Sequence, residues 1–187
     1  MRKPTVSNVV KTILAFDPDT RATGWAYLKE GKITAVGIIR LSKKFSGQRA
    51  ASVMAGKVNS EIRSMPFVDL GIVEGQQIYR NGKADGNNLL KLAAVSGACL
   101  GALMFKAARV EFPVPRTWKG QAPKGVHQAR VLSELGWKHT WQGPKKPPKI
   151  DEIPDGVEVV GPDPGVHWKE IVDAMGLALW GWKLNNK

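Results

Sequence analysis

The sequence predicts a single α/β domain built on a mixed sheet, with three antiparallel strands first and parallel strands after them. The chain has 187 residues, 43% of them hydrophobic, which is enough to bury one core. Short β-branched runs alternate with segments of helical spacing, in the order strand, strand, strand, helix, strand, helix, strand. This order is typical of a sheet that begins as hairpins and continues through helical crossovers. We therefore expect five strands flanked by helices.

The three opening strands are predicted at 9–16, 24–28 and 32–41. The first is an apolar run that stops at Asp17-Pro18-Asp19, a turn-forming cluster, so Asp17 would stand at the end of a buried strand. The second and third are joined by Lys29-Glu30-Gly31, a sequence typical of a hairpin turn.

The next segments alternate between helix and strand. Apolar residues recur at helical spacing over 48–65, and Pro66 closes that helix. The apolar run 67–73 then ends at Glu74, and its position after a helical crossover favours a parallel strand. The remaining predicted elements are a helix over 87–109, a strand over 110–114, and helices over 126–135 and 169–183. The segment 137–165 is rich in Pro, Gly and Lys without clear periodicity, which predicts a long loop.

The charge of the chain indicates an anionic polymer as partner. Lys and Arg number 28 against 16 Asp and Glu, giving a net charge of +12 and a pI near 10.0. Nucleic acid is favoured over a membrane surface, because no basic amphipathic helix with a bulky apolar face is evident. The single cysteine, Cys99, excludes an internal disulfide and a cysteine-based zinc site. A single cysteine favours a reducing, cytoplasmic compartment, and the first eleven residues do not resemble a signal peptide, so we expect a cytoplasmic protein without membrane contact.

Four carboxylates are candidates for a metal site. If the strands ending at Asp17 and Glu74 are parallel neighbours, both side chains emerge at the same edge of the sheet. Glu170 and Asp173 are three residues apart and share one face of the terminal helix, beside an apolar segment that must be largely buried. A buried ionised carboxylate is costly unless it is paired or bound to metal. Carboxylates suit Mg²⁺, and two ions about 4 Å apart can cleave phosphodiesters.

Each of these residues also has an ordinary explanation when it is taken alone. Asp17 could be a turn residue, Glu170 a solvated acid in a first helical turn, and Asp173 a satisfied core acid. His167, at the predicted helix start, could be a further ligand or simply a surface or capping residue. The joint placement of the four acids is what favours the metal site.

Several motifs resemble those of the RuvC family of Holliday junction resolvases, bacterial or bacteriophage, within the ribonuclease H-like class. The run 13–25, Ile-Leu-Ala-Phe-Asp-Pro-Asp-Thr-Arg-Ala-Thr-Gly-Trp, resembles the family's first-strand motif. Val73-Glu74 followed by Gln76 resembles its second motif, and Asp173-Ala174 its closing acid motif. The segment 89–92 resembles the start of its next helix.

The resemblance implies a ribonuclease H-like fold and a homodimeric endonuclease that resolves four-way DNA junctions by paired nicks, without a nucleotide cofactor. It implies two Mg²⁺ ions per active site, which Mn²⁺ can replace. The implied catalytic metal ligands are Asp17, Glu74, Glu170 and Asp173. The implied DNA contacts are Arg116, Lys119 and Lys124 at phosphates, with Tyr79 and Arg80 at the junction. Either Tyr79 or Ile78 is the nearest residue to the family's junction-entering position, and Tyr79 could instead pack at a strand edge.

The sequence also departs from the family pattern. Asp19 stands where the family usually has Gly, Glu170 where it usually has Asp or His, and the 137–165 segment is longer than the usual link. One helix carries small residues that suit either close contact with a second copy or packing on its own sheet. These are Ala93, Ala94, Gly97, Ala98 and Gly101.

Two alternative functions remain open. One is a DNA-binding protein of the same fold without catalysis, which metal-dependent nicking would separate from a nuclease. The other is an ATP-binding domain of the actin and sugar-kinase class, whose phosphate loop also has a strand-ending Asp and Thr-Gly. The short chain and the lack of a second Gly-rich loop disfavour it, and ATP binding would test it.

Overall fold

The structure is a computed structural model that describes residues 9–76, 86–161 and 168–186. Its strands are β1 (Thr12–Asp17), β2 (Ala22–Lys29), β3 (Lys32–Arg40), β4 (Val68–Val73), β5 (Ala107–Glu111), β6 (Lys138–Thr140), β7 (Lys149–Glu152) and β8 (Glu158–Val160). Its helices are α1 (Gly47–Ser64), α2 (Gly86–Leu103), α3 (Pro115–Trp118), α4 (Lys124–Glu134) and α5 (Trp168–Asn185).

Six strands form one sheet in the order β5-β4-β1-β2-β3-β8. The first three strands are antiparallel, with Thr12 opposite Lys29 and Asp17 opposite Gly24. β4 runs parallel to β1, with Phe16 opposite Val73, and β5 runs parallel to β4. The mixed sheet, with three antiparallel strands followed along the chain by parallel ones, confirms the prediction, and β1 and β4 end at the same edge.

The turn between β2 and β3 confirms the hairpin predicted from Lys29-Glu30-Gly31. Lys29 and Lys32 pair directly, so Glu30 and Gly31 form a two-residue loop. Both residues have positive φ, 50° at Glu30 and 80° at Gly31. Two consecutive left-handed residues give the turn a twist that matches that of the flanking strands.

Two hydrophobic clusters lie on opposite faces of the sheet because strand side chains alternate. Leu14 and Phe16 belong to the cluster that includes the buried residues of α1 and α2. Ile13 and Ala15 belong to the cluster that includes α5 and residues of α4. α5 is buried at every position from Glu170 to Leu179. Within the described ranges, no helix is both long and apolar enough to cross a membrane.

The structure differs from three predicted elements after residue 86. The helix expected over 87–109 ends at Leu103, and the strand expected over 110–114 is β5, which begins at Ala107. Pairing of Ala107 with Val68 in β4 draws this segment into the sheet despite its alanines. The expected loop over 137–165 contains β6 and β7, which form a separate hairpin, and β8, which adds a sixth strand beside β3.

Candidate functional site

The first turn of α5 lies directly on the sheet beside Asp17. Asp17 is paired with Gly24 in β2, and a Cβ placed on Gly24 would come within 2.3 Å of the carbonyl oxygen of Glu170. A side chain at position 24 would therefore push the helix away. This close approach brings the acids of α5 over the end of β1.

Glu74 is held beside the same strand end. Its backbone N–H donates to the carbonyl oxygen of Phe16 at 3.0 Å, so the pairing of the two parallel strands continues past the last residue of β4. The next residue, Gly75, donates its N–H to the carbonyl oxygen of Pro113. Glu74 therefore leaves the sheet at a fixed point next to Asp17, as the sequence predicted.

Asp17, Glu74 and Asp173 form a cluster of negative charge. Asp17 is 8% exposed and Asp173 is 1% exposed. Burial raises the pKa of Asp17 well above its ordinary value, and the nearby charges of Glu74 and Asp173 raise it further. A hydrogen bond between the carboxyl groups of Asp17 and Glu74 acts in the same direction. Three of the four predicted acids are thus electrostatically coupled, although they come from β1, the segment after β4 and α5.

The fourth predicted acid, Glu170, is also buried, with 7% of its surface exposed. Its Oε1 lies 3.1 Å from the Nζ of Lys169. The charge of Glu170 contributes to raising the pKa of Lys124, which places it in the electrostatic environment of the other acids.

Two lysines serve as counter-ions of the acid cluster. The Nζ of Lys119 is 2.9 Å from Oε1 of Glu74, and that of Lys124 is 2.8 Å from Oδ2 of Asp173. Burial lowers the pKa of both lysines, but the nearby acids outweigh burial, so the net shift of each pKa is upward. The charge of Asp173 contributes most to the rise of each pKa. The resemblance implies that both lysines contact phosphates; in this structure, each forms an ion pair with a carboxylate of the cluster.

A cavity of about 530 Å³ opens beside these lysines, between α3 and α4. It is lined by Arg116, Lys119 and Lys124 together with Gln121. The three basic residues that the family resemblance implies as phosphate contacts therefore line one cavity. That space adjoins Glu74 and Asp173 through the two lysine contacts.

Two further side chains hold the acids and were missed in the sequence. The indole Nε1 of Trp118 donates to Oε1 of Glu74 at 3.2 Å. The amide Nε2 of Gln128 donates to Oδ1 of Asp173 at 3.0 Å and to the carbonyl oxygen of Lys169 at 2.8 Å. Gln128 shares the buried face of α4 with Val131 and Leu132, so a polar residue at an apolar position was the available signal.

Several predicted positions lie outside the described residues. Tyr79, Arg80 and Ile78, the candidates for contact with the centre of a junction, belong to this group, as does His167.

The donor chemistry of the cluster fits a hard divalent cation. Asp17, Glu74 and Asp173 offer only oxygen ligands, as Mg²⁺ and Mn²⁺ prefer. In the part of the chain that the structure describes, no three His, Cys, Asp or Glu residues are arranged to hold a metal ion. The ammonium groups of Lys119 and Lys124 pair with Glu74 and Asp173 instead, while burial, followed by the charges of Glu74 and Asp173, keeps the pKa of Asp17 raised.

The small-residue face of α2 is exposed, so the expectation that it could pack on its own sheet was wrong. Ala93, Ala94, Gly97 and Gly101 all face outward. A Cβ added at either glycine would meet nothing within 4 Å. The neighbouring residues Leu90, Met104 and Phe105 are also exposed, at 69%, 73% and 82%.

Comparison with known proteins supports the fold. No protein-family model matches the sequence, and a search of curated proteins finds no significant match. Among solved structures, RuvC of Thermus thermophilus in complex with Holliday junction substrate is 16% identical, with 90% of this chain and 91% of that chain covered and a TM-score of 0.58. Another structure of Thermus thermophilus RuvC is 18% identical, with coverages of 90% and 92% and a TM-score of 0.53. The chain thus has the RuvC-like, ribonuclease H-like fold predicted from its motifs.

Proposed function

We propose that this protein is a metal-dependent endonuclease that cuts branched DNA and resolves four-way junctions by paired nicks. The observation that carries the proposal is the convergence of Asp17, Glu74 and Asp173 at one edge of the sheet. Three neighbouring acids in one buried place lower the stability of a fold, because each raises the free-energy cost of ionising the others. Stability therefore does not explain why they lie together. The RuvC-like fold and the net charge of +12 support DNA as the substrate.

The proposed metal ligands are Asp17, Glu74 and Asp173, with Glu170 as the fourth. A pair of bound divalent ions would supply an activated water and stabilise the leaving oxygen. Trp118 and Gln128 hold the carboxylates of Glu74 and Asp173 in fixed orientations through their N–H donors. Outer contacts of this kind orient ligands and tune metal affinity.

The basic cavity is the proposed site of the phosphodiester. Arg116, Lys119 and Lys124 line it and would offer cationic donors to phosphate oxygens. The net charge of the chain adds a field that attracts DNA, so binding should weaken steeply with salt as counterions are released. An affinity that stays flat from low to high salt would contradict this proposal.

The exposed face of α2 is the proposed contact between two copies, because paired nicks need two active sites. Gly97 and Gly101 would let two helix backbones approach closely in a twofold dimer. Gly101→Leu should convert a dimer into monomers in sedimentation experiments. Gly56→Leu, on the exposed face of α1, is the matched control and should leave the dimer intact. A wild-type chain that sediments as a monomer at micromolar concentration would refute the contact.

The decisive experiment compares an end-labelled four-way junction, a fork and a linear duplex, each with Mg²⁺, Mn²⁺ or chelator. We expect symmetric nicks in the junction that require metal, and little cutting of the duplex. Junction binding without cutting in either metal would instead identify a non-catalytic DNA-binding protein. ATP binding without DNA binding would favour the kinase-like alternative.

A further inference from the structure

A second cavity lies between the β6–β7 hairpin and the first turn of α5. Its volume is about 340 Å³. Trp168, Ile150 and Pro147 give it an apolar lining, and Gln142, Lys149 and Lys169 add hydrogen-bonding and cationic groups. The space is large enough for a flat aromatic group and its polar substituents, but too small for a base-paired helix.

This hairpin pocket adjoins the acid cluster. Trp168 and Lys169 line it, and the next residue along α5 is the buried Glu170. The Nζ of Lys169 contacts Glu170 at 3.1 Å, and its carbonyl oxygen accepts a hydrogen bond from Gln128, which also holds Asp173. A ligand in the pocket would therefore contact the neighbour of Glu170 in the chain and a residue that Gln128 links to Asp173.

The loop of the hairpin is fixed to α4 by a glycine. The N–H of Gly125 donates to the carbonyl oxygen of Pro144 at 3.1 Å. A Cβ on Gly125 would come within 2.3 Å of the carbonyl oxygen of Lys146 and 2.6 Å of that of Gly143. Since Lys124 precedes this glycine and contacts Asp173, the hairpin is tied to the acid cluster from a second side.

The charges of the hairpin suit a phosphate chain. Its two acids are already engaged, Glu152 in an ion pair with Lys138 and Asp151 as acceptor from the hydroxyl of Thr140. The exposed lysines nearer the loop are Lys145, Lys146 and Lys149, and Trp141, which precedes them in the sequence, is 49% exposed. Cationic groups interleaved with aromatic rings are typical of single-stranded nucleic acid binding.

We infer that the hairpin pocket binds an unpaired nucleotide of the DNA substrate beside the cut. The base stacks on Trp168, and its phosphate lies between Lys149 and Lys169. The inference rests on the proposed function. It adds that named residues of the pocket favour DNA substrates with an unpaired base near the scissile bond. Gln142 is placed to hydrogen-bond an edge of the base.

The test measures binding of a fluorescent oligothymidylate and of a linear duplex by anisotropy, in chelator so that nothing is cut. Trp168→Ala should weaken oligothymidylate binding at least about fivefold, the lower limit for one stacked base, and Trp168→Phe should restore most of it. Lys149→Gln should lower the salt slope for the oligonucleotide by about one contact. Matched controls at the opposite edge of the sheet are Phe67→Ala and Lys32→Gln, both exposed, which should change neither value.

A second pair of variants tests the pocket without replacing any residue that lines it. Gly125→Ala forces the hairpin loop away from α4 and should weaken oligothymidylate binding, while Gly56→Ala on α1 should not. Because Trp168 packs edge-to-face on Trp137, thermal melting identifies any unfolding in Trp168→Ala. If Trp168→Ala is unfolded, the oligothymidylate binding of Lys149→Gln and Gly125→Ala tests the inference instead.

The outcomes separate this inference from the proposed function. If the wild type cuts junctions but all pocket variants bind oligothymidylate as it does, the inference alone is overturned. If the wild type cuts no branched DNA, yet the pocket variants lose oligothymidylate binding, the pocket stands and the nuclease proposal falls. A wild type that binds no oligothymidylate overturns the pocket.

Discussion

The two edges of the β1–β4 pair each carry acids, and the acids behave in opposite ways. At the amino edge, one carboxylate oxygen of Asp69 accepts hydrogen bonds from the backbone N–H groups of Lys11 and Thr12, both at 2.8 Å, and from the Thr12 hydroxyl. At the carboxyl edge, Asp17 has Glu74 and Asp173 as neighbours.

The pKa values of the two aspartates shift in opposite directions. Burial raises the pKa of Asp69, but the hydrogen bonds from Thr12 and Lys11 outweigh it and the net shift is downward. Burial raises the pKa of Asp17, and the surrounding acids add to that rise. Hydrogen-bond donors stabilise the charge of Asp69, whereas the neighbouring acids oppose the charge of Asp17, which a proton or a bound cation would neutralise.

The largest expected effect is on catalysis at the carboxyl edge. Asp17→Asn and Asp173→Asn should each lower junction cleavage at least about 10³-fold, since a lost metal ligand removes several kcal/mol of transition-state stabilisation. Junction binding in chelator should persist, because the basic surface is untouched. Asp69→Asn is the control and should still cut. Intact cleavage in either variant would refute the proposed metal site.

The next effect concerns the residues that orient the acids. Gln128→Met keeps the volume of the side chain but removes the donor to Asp173, so we expect the metal concentration for half-maximal cleavage to rise about 10–100-fold. Gln48→Met, at the exposed start of α1, should leave it unchanged. A loss of activity that is the same at every metal concentration would argue against an orienting role.

At the amino edge, the expected effect is on stability alone. Asp69→Ala removes the acceptor of three hydrogen bonds and should lower the free energy of unfolding by about 1–3 kcal/mol in urea titrations. Cleavage below the melting temperature should match the wild type. Asp155→Ala, at an exposed site, should cost little. A cleavage defect in folded Asp69→Ala would erase the contrast between the edges.

The smallest expected effect is the pH dependence of metal-free stability. A raised folded-state pKa means that Asp17 destabilises the fold as the pH rises from its ordinary value of 3.8 through the raised value. Asp17→Asn should therefore melt at a higher temperature than the wild type at pH 8, because the amide carries no charge to bury. The difference should vanish near pH 3.8. A gap independent of pH would show that Asp17 ionisation is not its cause.

The strand-ending acids could be predicted because their signal is local. A buried apolar run that stops at Asp17 or Glu74 fixes both the strand and the edge at which the side chain emerges. The parallel pairing needed to join them followed from the helical crossover between the strands. α5 was predicted as a helix, but its position on the sheet was not, since its contact at Gly24 depends on tertiary packing.

The remaining features depended on partners that are distant in the sequence. α2 was predicted too long because Ala107 and Ala108 favour helix, and only pairing with β4 makes them a strand. β6, β7 and β8 have three or four residues each, too few for a period to show. Trp118 and Gln128 were missed because hydrogen-bonding to the acids requires α3 and α4 to be placed first.

β8 has a consequence for how copies of this chain meet one another. A nine-residue edge strand such as β3 would leave unpaired backbone N–H and C=O groups along its outer side. Another polypeptide could pair with these groups, which is a route to fibrillar association. The three residues of β8 cover the middle of that flank, opposite Ala35, Val36 and Gly37. On the other flank, β5 is short and carries the exposed charge of Arg109. The same insertion that builds the hairpin thereby protects the sheet from unwanted self-pairing.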